Sequence, residues 1–376
     1  MIIGTCKETA ENEKRVALTP EGVKKLIEFG FDVQIEHGAG TASSYPDEQY
    51  KEAGAEIVSG RDQVLKQCDI LLVVQPPDEE SVNKMKSGAI LIGLLWPLQN
   101  PEYVKLLQDK NITGMAMDTI PRISRAQSMD ALSSMSNIAG YKAALLGANQ
   151  LDRYLPMMMT AAGTITPAKI LVLGAGVAGL QAIATAKRLG AVVEAYDIRP
   201  AVKEQVESLG AKFVEIEEVE DDDTETKSGY AKEQSKDKQE KQKEVTHNHV
   251  KKSDIVITTA LIPGRPAPKL VTKEMIEDMS AGSVVVDIAA EQGGNCELTE
   301  PGETVYHNGI AIIGPLNLPS SLANHASKLY SKNMLSLIEL LAKDGKPNFN
   351  FDDEIIVNAT VTHNGELISP FVKENS

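Results

Sequence analysis

Short, fully apolar runs set the rhythm of this chain. The first, IIGTC, is followed by an amphipathic stretch that opens at Thr19 and Pro20 and runs through GVKKLIEF, and then by DVQIEH. A strand, a helix whose proline sits where the missing N–H costs nothing, and a second strand make a βαβ unit. The alternation continues with a helical stretch at 50–53, a strand at 55–58, and the apolar runs DILLVVQ and GAILIGLL on either side of polar residues 79–86. Runs without a polar face suit parallel strands covered on both sides. Residues 135–149, containing SNIAGYKAALLGAN, predict a long helix whose small side chains permit close packing. A second series then starts at KILVLGAG and passes through EAYDIRP, AKFVEI, DIVITTALIPG, SVVVDIAA and GIAIIGPLNLP before a helical stretch at 320–341. The closing strands EIIVNATV and GELIS are too little to form a core alone, so they are expected to rejoin the first series.

At 376 residues the chain exceeds what one hydrophobic core usually spans, roughly 250 to 300 residues. The pattern therefore predicts an α/β protein of two Rossmann-like domains with mostly parallel sheets. The first domain is placed at 1–137 and 325–376, completed by the C-terminal segment, and the second at 138–324. Inside the second domain the composition turns almost wholly polar. This stretch is expected to be a mobile polar insert at about 217–250, with a charged helix at its C-terminal end. An insert at that place in the order is where lids over active sites are often found.

A formal charge of −15 opposes binding to phosphate backbones or anionic lipid, so nucleic acid is not an expected partner. Cys6, Cys68 and Cys296 lie far apart and match neither a metal spacing nor a disulfide framework, which fits reduced thiols. His247 and His249, two residues apart on a helix, do not face one another, and no metal site is expected. The charged N-terminus lacks the apolar core of a secretory peptide. The uncharged run at 170–186 reads as a buried βα unit rather than a membrane helix, since a strand, a glycine turn and a helix lie within it.

That run carries the chemistry. The strand KILVL leads directly into Gly174-Ala175-Gly176-Val177-Ala178-Gly179, and a helix follows. Gly174 permits the tight turn, Gly176 lets backbone approach a pyrophosphate, and Gly179 permits close packing of helix on strand. Eighteen residues beyond Gly179, at the end of the next strand, Asp197 would accept hydrogen bonds from ribose hydroxyls. This favours NAD(H) over NADP(H), although Arg199 beside it is a residue type that can accommodate a 2′-phosphate. A second glycine pair, Gly293-Gly294, follows the apolar run SVVVDIAA and lies either at the ligand edge of the sheet or in a plain turn.

KETAENEKRVALTP, PRISRAQSMDALSS, the GAGVAGL turn, TTALIPGRPAP and DIAAEQGGNC together resemble the NAD(H)-binding alpha component of proton-translocating nicotinamide nucleotide transhydrogenase, over nearly the whole chain. The resemblance implies that Arg122 and Asp130 pair and orient the nicotinamide, that Gln127 lies between two cofactors, and that Ser133 hydrogen-bonds the carboxamide. It extends the cofactor-binding set to Ala175, Val177 and Ala178 of the turn, to Ile198 and Arg199, to Thr259, Ala260 and Leu261, and to Tyr230 as a loop tyrosine that closes over the nucleotide. It also implies a homodimer, for which the small-residue helix is a plausible contact. Its other partners would be a membrane-spanning proton-channel subunit and a subunit that holds NADP(H), on the cytoplasmic side of a membrane. The end of the chain at GELISPFVKENS is similar to the form of this family split over separate subunits.

Alanine dehydrogenase is similar in fold and supplies the alternative, an amino-acid dehydrogenase. The resemblance to it fails at two places. Gln75 stands where those enzymes have a lysine, and Leu95 and Trp96 stand near the place of a histidine. Breaking a carbon–nitrogen bond requires proton transfer by a positioned group, whereas direct hydride transfer between nicotinamides does not. A catalytically silent NAD-sensing module is the third reading, and Arg15 is taken as structural.

Overall fold

The structure, a computed structural model, describes residues 1–215, 236–262, 265–343 and 345–375. The chain forms two compact units, Met1–Met135 with Ser320–Ser376, and Ser136–Pro319. Each is an α/β fold built on one mostly parallel sheet.

The sheet of the first unit runs, in spatial order, through Glu366–Leu367, Thr360–His363, Thr113–Ala116, Ile90–Gly93, Ile70–Leu72, Ile2–Thr5, Asp32–Glu36 and Glu56–Val58. The six strands from Thr113–Ala116 onward pair in parallel, and the two C-terminal strands add antiparallel at one edge. The C-terminal segment thus completes a sheet begun at residue 2, where two short strands alone would be marginal. EIIVNATV, expected as a strand, is one only at its end. Glu354–Ala359 is a helix, and the Asp353 carboxylate caps it by accepting the Ile355 N–H at 2.9 Å. The β-branched residues suggest a strand, but a good cap decides the local conformation. The strand begins at Thr360.

The sheet of the second unit runs Lys212–Phe213, Val192–Tyr196, Lys169–Leu173, Ile255–Thr258, Val284–Asp287, Ile310–Ile313 and Thr304–His307, parallel throughout except for the last edge strand. Alternate residues of the central strands enter two cores. Ile170, Val172, Ile257 and Val286 are buried on one face, and Leu171, Leu173, Val256 and Val285 on the other. That double coverage is why the strands read as unbroken apolar runs. Chain order reverses between Lys169–Leu173 and Ile255–Thr258, the kind of switch point at which ligands of such sheets bind.

The helix Ala131–Gln150 carries the chain from the first unit into the second. Its small residues serve its own fold: a Cβ on Gly140 would lie 1.9 Å from the Ala178 carbonyl oxygen, and one on Gly147 2.9 Å from the Ile255 side chain. The polar insert is described only from Lys236, where the helix Lys236–Val250 begins. Among the described residues no helix is long and apolar enough to cross a membrane.

Candidate functional site

The strand Lys169–Leu173 ends in a glycine turn at the switch point of the second sheet. Gly174 adopts a φ of +95°, and its carbonyl accepts a hydrogen bond from the Thr259 hydroxyl at 3.0 Å, so a residue expected to touch cofactor also buttresses the turn. At Gly179 a Cβ would stand 1.9 Å from the Gly174 carbonyl oxygen, which forbids any side chain there. A Cβ at Gly176 would meet nothing within 4 Å. Space is therefore open just where a pyrophosphate needs close approach to backbone. The helix Val177–Arg188 starts here with no side-chain cap. Its first-turn N–H groups, those of Val177, Ala178 and Gly179, lack intrahelical acceptors, and the dipole adds positive potential.

Asp197 follows the next strand and is buried, with both carboxylate oxygens in use. Oδ2 accepts the Ala175 N–H at 2.7 Å and Arg199 Nη2 at 2.8 Å, while Oδ1 accepts the Arg199 N–H and its Nε, each at 2.9 Å. The carboxylate therefore fixes the glycine turn and folds Arg199 back onto itself, with Ile198 half-buried between them. Two ribose hydroxyls could be accepted here once the guanidinium yields, since a carboxylate offers about four acceptor positions.

Behind Thr259-Ala260-Leu261 stand two buried residues that the sequence reading missed. Asn295 accepts the Ala260 N–H and donates to the Ala260 carbonyl, both at 2.9 Å, and donates again to the Pro268 carbonyl at 2.8 Å. Asp287 accepts the Thr258 and Thr299 hydroxyls at 2.9 and 2.7 Å and the Cys296 N–H at 2.9 Å. Gly294, at φ +77°, leaves room for that carboxylate, whose Oδ2 lies 2.7 Å from where a Cβ would stand. The glycine pair was the visible signal; the residue after it does the holding. Leu261 is exposed, and Tyr230 lies outside the described residues. His247 and His249 face Asp278 and Glu194, and among the described residues no three His, Cys, Asp or Glu side chains gather to hold a metal.

In the first unit, Arg122 and Gln127 are exposed on a loop that contains the 3-10 segment Ser124–Met129. Asp130 precedes the helix Ala131–Gln150 and gives its carboxylate to that helix, accepting the Ser133 N–H at 2.8 Å and the Ser133 hydroxyl at 2.5 Å. Asp130 and Ser133 are thus brought together as a cap, and the carboxylate expected to meet Arg122 is engaged there.

At the switch point of the first sheet the polar side chains satisfy one another. Arg15 and Glu13 form a buried two-bond pair, Nε to Oε1 at 2.7 Å and Nη2 to Oε2 at 2.6 Å. Gln75 donates to Glu13 at 3.2 Å and accepts from the Trp96 indole at 3.3 Å. The Glu8 carboxylate accepts the Val74 and Gln75 N–H groups, and Asp118 accepts those of Leu95 and Trp96. Burial pushes Glu8 up to about 7 and Asp118 up to about 6, against the pull of those backbone donors.

Models of two families match the chain: "Alanine dehydrogenase/PNT, N-terminal domain" over residues 4–139 and "Alanine dehydrogenase/PNT, C-terminal domain" over 143–370. The sequence is 49% identical to an NAD(P) transhydrogenase subunit alpha chain of Rhodospirillum rubrum, over 98% of either chain. The structure is similar to that of transhydrogenase from Sinorhizobium meliloti, with a TM-score of 0.88 at 46% identity over 98% of this chain and 100% of that one. It is also similar to L-alanine dehydrogenase, with a TM-score of 0.83 at 26% identity over 100% and 99% of the two chains.

Proposed function

The chain belongs to the alanine dehydrogenase/PNT family, and from that premise we propose that it is the NAD(H)-holding subunit of a proton-translocating transhydrogenase, passing hydride directly between NADH and NADP+ on a partner subunit. The observation that carries this reading over the dehydrogenase is the closed network at Arg15. A substrate carboxylate seeking that guanidinium would have to displace Glu13, and Gln75 and Trp96 are tied to each other rather than placed to move protons. Glu8 and Asp118 hold protons near neutrality, but each is turned onto two backbone N–H groups, which assigns them to holding loops.

The dinucleotide fits the second unit. Open space over Gly176 and the uncapped helix start would take the pyrophosphate, and Asp197 would take the adenosine ribose. Arg199, folded onto Asp197, is held back from a 2′-phosphate, which supports NAD(H) as the preferred nucleotide. Bound NADH supplies the hydride. The chain's own residues bind, orient and exclude water: Arg122, Gln127, Asp130 and Ser133 would orient the nicotinamide, and Tyr230 would close over it. Hydride transfer between two nicotinamides leaves no proton to be handled at a carbon–nitrogen bond, so position alone is required. The complete machine would comprise a homodimer of this chain, the NADP(H)-holding subunit and a membrane-spanning proton-channel subunit, with this chain on the cytoplasmic side. Hydride transfer to NADP+ that depends on the partner, with no alanine-dependent reduction of NAD+ by the chain alone, is the expected outcome; the reverse pattern would restore the dehydrogenase.

A further inference from the structure

Ser124–Met129 is a 3-10 segment of six residues, longer than such runs usually persist because their hydrogen bonds are poorly aligned. It is held from outside. Ala126 and Met129 are buried beneath it, at 1% and 6% exposure. On the helix Ala323–Leu341, the buried Asn333 donates its side-chain amide to the Ser128 carbonyl at 2.8 Å. Arg125 meets Asp353 in a two-bond fork, Nη1 to Oδ2 at 2.7 Å and Nη2 to Oδ1 at 2.9 Å.

Asp353 is itself fixed, because its Oδ1 caps Glu354–Ala359 through the Ile355 N–H. The hydrogen-bonded guanidinium holds that carboxyl below the usual carboxylate range. Arg125 is 53% exposed, and a surface ion pair of this kind adds little stability. A planar fork on an immobile carboxylate supplies direction instead. Gln127 sits exposed between the tether at residue 125 and the tether at residue 128.

We propose that Arg125, Asp353 and Asn333 are positioning residues for hydride transfer, clamping the backbone on both sides of Gln127 so that its side chain is presented in one orientation. This rests on the reading of the 122–133 loop as the nicotinamide loop. Arg125 therefore acts through Gln127 and not on a nucleotide, its guanidinium being turned to Asp353.

The test compares Arg125→Ala, Asp353→Ser, their double variant, Asn333→Ala and Gln127→Asn in the full chain, assembled with the NADP(H)-holding subunit of its own complex. Serine at 353 keeps a helix cap while removing the fork. Transfer from NADH is measured per NADH-binding site, beside the NADH dissociation constant and the thermal midpoint of each variant. We expect Arg125→Ala and Asp353→Ser each to lower the maximal transfer rate about tenfold, as small misplacements of reacting groups do. NADH affinity should stay within about twofold, and the double variant should be no slower than either single, because both remove one interaction. Asn333→Ala should show the same split between rate and affinity. Transfer at the wild-type rate in Arg125→Ala, additive losses in the double variant, or losses that merely track affinity or melting would overturn the proposal. If Gln127→Asn is slow while the tether variants are normal, the clamp alone fails; if the wild-type chain supports no transfer, the functional reading beneath it fails as well.

Discussion

Asp197 is asked to do two jobs, and its geometry shows the cost of each. It anchors the Ala175 N–H and neutralises Arg199, and it must offer acceptors to a ribose. Asp197→Asn would keep one oxygen for the turn while losing the charge. We expect NADH affinity to fall at least tenfold, in keeping with about 1.5 to 3 kcal/mol for hydrogen bonds to a charged group. The preference for NADH over NADPH should narrow, because the released Arg199 could meet a 2′-phosphate; fluorescence titration with both nucleotides reads this. Glu8 and Asp118 make a prediction of another kind. Both carboxyls keep their protons in the fold to higher pH than in the unfolded chain, Glu8 to about 7 and Asp118 to about 6. Between the ordinary carboxylate range and about 7 the native state binds more protons, so stability falls as pH rises through that window and levels off above it. The charge of −15 pushes the same way, so the diagnostic is Glu8→Gln, which should flatten the upper part of the melting-temperature profile. Asp197 was legible from its distance beyond the glycines. Glu8, Asp118 and Asn295 were not, because a loop carboxylate or amide gains its meaning from backbone donors that distant strands bring to it.

At the scale of the element, the glycine turn separates what the fold demands from what the ligand demands. Gly179→Ala drives a methyl group into the Gly174 carbonyl oxygen and should destabilise the protein by roughly 1 to 3 kcal/mol, with loss of NADH binding. Gly176→Ala meets no protein atom, so the melting temperature should hardly move while NADH binding weakens. Equal melting losses in the two variants would contradict the assignment of open space to the pyrophosphate. The parallel strands were readable because both faces are buried. TGMA at Thr113–Ala116 escaped notice because it lacks the β-branched run that marks its neighbours, and its place is set by pairing with Ile90–Gly93 and with the C-terminal strand Thr360–His363. EIIVNA misled in the opposite sense, since capping by Asp353 outweighed its β-branched residues. Likewise the small residues of Ala131–Gln150, read as a surface for another copy, are needed by the carbonyl of Ala178 and the side chain of Ile255.

For the whole molecule, two sheets of similar build carry different chemistry at their switch points. One has an open backbone cradle with an ordered acid beside it; the other has a closed set of side chains around Arg15. The sequence distinguished them through the glycine spacing of the first and the substitutions at Gln75 and Trp96 in the second, but the closure by Glu13 emerges only when residues far apart in the chain meet. A chain with this division of labour binds a nucleotide and needs another protein to complete its reaction. The most direct test is stereospecific transfer of deuterium from labelled NADH to an NADP+ analogue, by this chain mixed with the NADP(H)-holding subunit, with Arg122→Ala and Gln127→Asn alongside. Transfer that requires the partner and slows in both variants at nearly unchanged NADH affinity is the predicted result; alanine-dependent reduction of NAD+ by the chain alone, without transfer to the partner, would contradict it.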